Sequence, residues 1–203
     1  MTPQPPQPTE DQTEDLLYFA RAGETADFVQ ALSETKAALP GLTDAEILLA
    51  ARDEHSQNNV LHMTCGNGHL ELTKKILSLL LAPVAPDAPP HELLSQKNSA
   101  GNTPLHWAAL NGHLPVVQTL VMAANADPTI TNAAGHDAVF EAEANEKGEV
   151  VDWLLGHCEG LEEVIKGSVD GEEEFRVAAG EKLEEGKGKE VEVVDVEMEM
   201  GEN

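Results

Sequence analysis

The apolar residues of this chain fall into short clusters that come in pairs. The paired clusters lie at residues 16–20 and 28–32, 60–65 and 70–81, 104–110 and 116–121, and 138–142 and 150–155. Aromatic residues make up only 3% of the chain, so Leu, Val, Ile and Ala must build the core. Such a composition favours packed helices over a sandwich of aromatic-rich strands. The pattern therefore predicts four helix pairs, two regular ones in the middle and two irregular ones at the ends.

The two middle pairs carry the same sequence motif. Residues 101–114 read GNTPLHWAALNGHL, and residues 58–71 read NNVLHMTCGNGHLE. A Thr-Pro-Leu-His-x-Ala motif with a period of about 33 residues is the signature of the ankyrin repeat. A third, degenerate copy begins at Gly135, 34 residues after Gly101, and lacks both the Thr-Pro and the His, as a C-terminal cap would. The sequence thus resembles the ankyrin-repeat family.

Two segments depart from the regular repeat length. The two clear motifs are 44 residues apart, and the surplus falls in the proline-rich stretch 82–90, which predicts a protruding loop. Residues 42–51 predict one extra helix, whose start Thr43 and Glu46 would close as a capping box.

The fold class predicted is an all-α ankyrin-repeat solenoid of about four helix pairs with short hairpin loops, followed by a disordered acidic C-terminal tail. The predicted boundaries are a disordered N-terminus at 1–13, a repeat domain at 14–157 and an acidic low-complexity tail at 158–203. Within the repeat domain, the divisions are the opening pair with its extra helix at 14–51, the repeat with the loop at 53–97, the regular repeat at 98–131 and the degenerate repeat at 132–157.

Several motif residues have a structural explanation. Thr103 and Pro104 suit a helix start, and the small pair at 108–109 allows close helix packing. Gly68 and Gly112 would end the first helix of each pair with positive φ, and Asn125 would do the same in place of the usual glycine. These residues explain stability rather than a partner.

The charge of the chain is strongly negative. It has 12 basic and 37 acidic residues, a formal charge of −25, and 16 of the acidic residues lie at positions 159–203. This excess excludes a generic nucleic-acid binder, since a surface that follows phosphates must be basic. It favours a basic protein as the partner. Within the tail, residues 191–200 alternate apolar and acidic side chains, as a strand added to the edge of a partner's sheet would.

The location of the protein is predicted from what the sequence lacks. No apolar run is long enough to cross a membrane, and the proline-rich N-terminus does not have the form of a signal peptide. Cys65 and Cys158 are therefore expected to be free thiols in the cytosol or nucleus.

Candidate chemistry is sparse. His62, Cys65 and His69 could supply three zinc ligands, but both histidines recur at His106 and His113 without a cysteine. We therefore interpret them as repeat residues. The sequence contains no phosphate loop, nucleophile elbow or metalloprotease motif, which predicts a protein that is no enzyme and needs no cofactor or metal.

An ankyrin array typically binds partners through its hairpin tips and the exposed face of the first helix in each pair. Trp107 is the preferred anchor because tryptophan is enriched at interfaces, whereas Trp153 replaces a core leucine. The other predicted partner-binding residues are His55, Ser56, Asn67, Ser99, Asn102, Leu110, Asn111, His136 and Asn145, together with the acidic residues Asp44, Glu46, Asp53 and Glu54.

The short array, the proline-rich loop and the acidic tail together resemble the small fungal ankyrin-repeat chaperones of ribosome assembly. That resemblance implies a dedicated escort of a newly made, basic small-subunit ribosomal protein, number three, bound as a 1:1 complex through an N-terminal helical segment. It also implies action in the cytoplasm and nucleus. Two alternatives are a general ankyrin adaptor in signalling or transcription and an acidic histone chaperone.

Overall fold

The structure is a computed structural model that describes residues 6–80 and 92–158, and the findings below concern these residues. The predicted loop at 82–90 and nearly all of the predicted acidic tail lie outside them. Within them the protein is helical, with one isolated antiparallel bridge between Arg52 and Asn59. The helices are α1 Glu10–Ala22, α2 Thr25–Ala38, α3 Asp44–Ala50, α4 Val60–Gly66, α5 Leu70–Leu80, α6 Glu92–Ser95, α7 Pro104–Asn111, α8 Leu114–Gln118, α9 Ala138–Ala144 and α10 Gly148–His157.

The helices form the four predicted pairs: α1 with α2, α4 with α5, α7 with α8, and α9 with α10. The first helices stack in a row, α1 on α4, α4 on α7 and α7 on α9. A single apolar core runs through the stack, and Leu16, Leu61 and Leu105 of three successive first helices are almost fully buried. Each pair therefore buries its apolar face on its neighbours.

Local signals account for most helix ends. Thr43 and Glu46 form the expected capping box at the start of α3. Gly68, Gly112 and Asn125 adopt positive φ angles of 73°, 78° and 53°, as predicted. The prediction of a disordered N-terminus up to residue 13 was too long, because a capping box between Thr9 and Gln12 starts α1 at Glu10.

One feature of the regular repeat was not predicted. The helix that begins at Leu114 continues through a π-helical turn, Thr119–Ala123, whose hydrogen bonds span one residue more than those of an α-helix. The spacing of 34 residues from Gly101 to Gly135 is one longer than the usual period. The π-helical turn therefore accommodates a one-residue insertion and keeps Val116, Val117 and Leu120 in the core.

Candidate protein-binding surface

Three hairpin tips line one side of the array, at residues 53–58, 98–102 and 132–136. An Asx side chain organises each tip: Asp53 Oδ1 accepts from the Ser56 amide at 2.6 Å, Asn98 Oδ1 from the Asn102 amide at 2.9 Å, and Asn132 Oδ1 from the His136 amide at 3.1 Å. The hydrogen bonds from Ser56 lower the pKa of Asp53. The tips are thus held by their own side chains before any partner binds.

Backbone hydrogen bonds join each tip to the next. The Ser99 amide donates to the Ser56 carbonyl at 2.8 Å, and the Ala133 amide donates to the Ala100 carbonyl at 3.1 Å. Gly101 has a φ of 78°, and a Cβ there would overlap the backbone of Ala133. The tips therefore form one continuous edge, and Ser99 and Ser56 hold part of it together through their backbone.

The repeat histidines link neighbouring repeats in two ways. The Nδ1 atoms of His62 and His106 accept from the helix-start amides of Asn59 and Thr103, at 3.1 and 3.2 Å. Their Nε2–H groups donate to backbone carbonyls of the following tip, Asn102 for His62 at 2.8 Å and His136 for His106 at 3.0 Å. Burial lowers the pKa of His62 to about 4 and also lowers that of His106. Both rings are therefore neutral near pH 7.

The second set of histidines, His69 and His113, contacts the preceding repeat. Nε2 of His69 lies 2.8 Å from the Arg21 carbonyl, and Nε2 of His113 lies 3.1 Å from the Gly66 carbonyl. Cys65 is fully buried, and burial raises the pKa of its thiol to about 12. His62, Cys65 and His69 thus have separate structural environments, as the interpretation as repeat residues requires. Both cysteines are free thiols.

Trp107 lies on the first helix of the regular repeat, half-buried against the preceding repeat. Its ring packs on Gly66, where an added Cβ would come within 3.3 Å of the indole. Its Nε1 atom is buried and has no hydrogen-bond partner among the described residues. The exposed part of the ring can contact a partner, but the rest of the residue is an inter-repeat contact. Trp153 is half-buried against the core and stacks on His157, with ring centroids 4.6 Å apart.

Sequence reasoning missed two exposed aromatic residues, Tyr18, which is 61% exposed on α1, and Phe140, which is 43% exposed on α9. Tyr18, Met63, Trp107 and Glu141 each lie five residues before the positive-φ residue that follows a first helix. These residues are Gly23, Gly68, Gly112 and Glu146. This spacing was the available signal for Tyr18. We call these four side chains the inner row, because they occupy the same position of successive repeats.

The other predicted residues differ in how available they are. The exposed or half-exposed ones near the tips and first helices are His55, Ser56, Asn67, Ser99, Asn102, Leu110, Asn111, His136 and Asn145. Some of these residues also stabilise the fold. The side-chain amides of Asn67, Asn111 and Asn145 each donate to the backbone carbonyl four residues earlier in the same first helix. His136 stacks on Phe140 and lies 3.2 Å from Glu141.

Asp44 and Glu46, also predicted to bind the partner, lie away from the three tips. Both belong to α3, which packs on α2 and α5, the second helices of their pairs, rather than beside the tips. Asp44 forms an ion pair with Lys36 at 2.9 Å, and hydrogen bonds from Thr43 lower the pKa of Glu46. These carboxylates stabilise the extra helix locally.

A pocket of about 430 Å³ lies between α1 and the first tip. Its lining includes the carboxylates of Glu10, Glu14, Asp53 and Glu54 and the apolar side chain of Leu17. The nearby guanidinium of Arg52 donates to the carbonyls of Gln57 and Lys97 instead, at 3.0 and 2.6 Å. Arg52 keeps its positive charge, but the four acidic residues of the lining outweigh it, so this end of the surface is negative.

Four stacked helix pairs with linked tips define an ankyrin-repeat protein, and the chain belongs to that family. Residues 16–132 and 92–166 match the family model for ankyrin repeats. Within this family it belongs with the ankyrin repeat-containing protein YAR1 of Saccharomyces cerevisiae, to which it is 35% identical over 94% of this chain and 89% of the relative.

Two further similarities are to a chain of a solved complex and to a much longer protein. One chain of the crystal structure of yeast ribosomal protein Rps3 in complex with its chaperone Yar1 is similar, with a TM-score of 0.59 and 36% identity, covering 74% of this chain and 95% of that one. The p105 subunit of nuclear factor NF-kappa-B from Gallus gallus is 28% identical over 54% of this chain but only 10% of that protein. Among the described residues, none of the helices has the length and apolar character to cross a membrane.

Proposed function

We propose that this protein is a dedicated chaperone of the small-subunit ribosomal protein homologous to yeast Rps3. The similarity to the yeast chaperone extends over almost the whole of both chains, which supports a shared client. The observation that carries the proposal is the acidic pocket at the first tip, where Glu10, Glu14 and Glu54 have no ion-pair partner among the described residues.

The mechanism is stoichiometric masking without catalysis. A short N-terminal helical segment of the client lies across the tips and the inner row, and the exposed parts of Tyr18 and Trp107 contact its apolar side. Carboxylates of the first tip neutralise Lys or Arg of the client and speed its capture. The complex contains one copy of each protein, acts in the cytoplasm and nucleus, and dissociates when preribosomal RNA competes for the same basic surface.

A solubility assay with purified proteins tests this proposal. Equimolar chaperone is expected to keep the purified ribosomal protein in solution at physiological salt, and high salt is expected to weaken the complex because its charges are screened. Replacing Glu14 and Glu54 by Lys should weaken binding at least about tenfold, since each reversal places a cation where the client has one. Light scattering of the eluted complex measures the stoichiometry.

The matched control replaces Glu34 and Asp152 by Lys, because both are exposed acidic residues on second helices, away from the tips. This control should bind with unchanged affinity. Equal loss in both variants would indicate a general charge effect rather than a site. Preferential binding of histones over the ribosomal protein would favour the histone chaperone instead.

A further inference from the structure

The last described repeat ends in a face that no described residues of a later repeat cover. His62 and His106 are buried beneath the next tip, whereas Phe140, at the same position of the last repeat, is 43% exposed. Val117 is fully buried in the regular repeat, while its counterpart Val151 is only half-buried. We call Phe140, Val151 and Leu155 the open face.

The open face is apolar. It corresponds to the surface of the regular repeat that the last repeat covers. His136 stacks on one side of the Phe140 ring at 3.8 Å between centroids, and the remaining side is accessible. Val151 and Leu155 lie one helical turn apart on α10, so they form a stripe. In the same repeat, the exposed Glu143 stands where the regular repeat has the buried Ala109. A short apolar segment would fit this face better than a complete repeat.

We propose that residues 161–165 of this same chain cover the open face. Leu161, Val164 and Ile165 have the spacing of one helical face, i, i+3 and i+4. The similarity to ankyrin repeats continues to residue 166, past the end of α10 at His157. Both observations separate this segment from the acidic residues that follow it.

The position of the segment in the chain favours it over other occupants. It begins only four residues after α10 ends, and Gly160 allows the backbone to reverse there. Returning from Cys158 to the level of Val151 takes about 10 Å, which three or four extended residues span. A short tether gives an effective concentration in the millimolar range, well above that of a second copy or a separate protein at micromolar concentration.

Cross-linking in the full-length chain tests the contact directly. Val151→Cys and Ile165→Cys, with Cys158→Ser and the buried Cys65 retained, should react with a short bismaleimide several-fold faster than Asp152→Cys with Ile165→Cys in the same background. Asp152 is exposed on α10 beside Val151 and has nearly the same chain connection to Ile165, so it controls for collisions that the short tether alone produces. Equal rates for the two pairs, or cross-links that join two copies, would overturn the proposal.

A second measurement does not depend on cysteines. Leu161→Asp with Ile165→Asp should lower the melting temperature by about 3–6 °C and speed amide exchange in α9 and α10. Val191→Asp with Val194→Asp makes the same change further along the chain and should alter neither. If both variants leave exchange in α10 unchanged, the segment does not cover the open face. No client is present in either assay, so the result is independent of the proposed chaperone function.

Discussion

The inner repeats and the last repeat share one scaffold but differ in what lies beyond them. Gly23, Gly68 and Gly112 end the first three first helices, and a Cβ on each would overlap His69, His113 or Lys147 of the following repeat. In the last repeat the same position is Glu146, with a φ of 60°. The comparison shows that glycine is needed at this position for two reasons. It adopts the positive φ angle, and it leaves room for a side chain of the following repeat.

The same comparison separates scaffold residues from candidate binding residues. Histidine at positions 62 and 106 becomes Phe140, and the buried Cys65 and Ala109 become the exposed Glu143. Residues that differ in the repeat after which the structure describes no further repeat are therefore assigned to stacking. The inner row varies among Tyr, Met, Trp and Glu in repeats that all stack. Met63 of this row is buried, so the exposed Tyr18 and the exposed part of Trp107 are the members available for recognition.

The largest expected effect contrasts two glycines of the tips. Gly101→Ala should destabilise the protein by about 3 kcal/mol, because a left-handed residue with a side chain is strained and the Cβ also overlaps Ala133. Gly135→Ala should cost only about 1 kcal/mol, since nothing lies within 4 Å of its Cβ. Urea unfolding of both variants measures the difference, and equal losses would show that the neighbouring tip is unimportant.

The next effect concerns the pH dependence that His62 contributes. The pKa of His62 is lowered to about 4 by burial, so the ring stabilises the fold when neutral. Its contribution is fully present above the unfolded-state pKa of about 6.5 and is lost as the pH falls towards 4. Between pH 7 and pH 4.5 we expect a loss of about 2–3 kcal/mol from this residue.

A comparison of the parent with His62→Gln isolates that loss from the titration of the many carboxylates. The variant should be less stable at pH 7, and its urea midpoint should fall less between pH 7 and 4.5. An identical pH profile for the two proteins would mean that His62 titrates normally in the fold.

A smaller effect should follow from removing the inserted residue of the regular repeat. Deleting Met122, which is 69% exposed, should convert the π-helical turn into α-helix and stabilise the protein by about 1 kcal/mol. Asn125 and the buried Ala124 and Ala126 would then occupy the usual positions of a 33-residue repeat. Thermal unfolding tests this, and a loss of stability would show that the surrounding core is adapted to the insertion.

The smallest expected effect is at the end of α9. Glu146→Gly should stabilise the protein by about 0.5–1 kcal/mol, because glycine adopts the left-handed angle without steric strain. Asn125→Gly should change stability by only a few tenths, since asparagine tolerates this angle better. If the two variants gain equally in urea unfolding, strain at Glu146 is not the cause.

Local motifs predicted the fold well. The four helix pairs, the capping box of Thr43 and the left-handed Asn125 all depend on residues a few positions apart, so the sequence contains them directly. The position of Asp44 depends on packing between α3 and distant helices, and that packing has no local signature. The capping box that starts α1 at Glu10 was a local signal that we overlooked.

The candidate surface could be predicted only in part. The tips were located correctly because they border the motif. The burial of the Trp107 indole could not be foreseen, because it depends on Gly66 lying one repeat away. The π-helical turn could have been inferred from the spacing of 34 residues.

The position of Trp107 has a practical consequence for spectroscopy. Its indole lies across the boundary between two repeats, and Trp153, the other tryptophan, lies on α10 in the last repeat. In a Trp153→Phe variant, the fluorescence of the remaining indole reports the docking of one repeat on the next. Fluorescence would then report the separation of the second repeat from the third, without a contribution from fraying of the C-terminal helix.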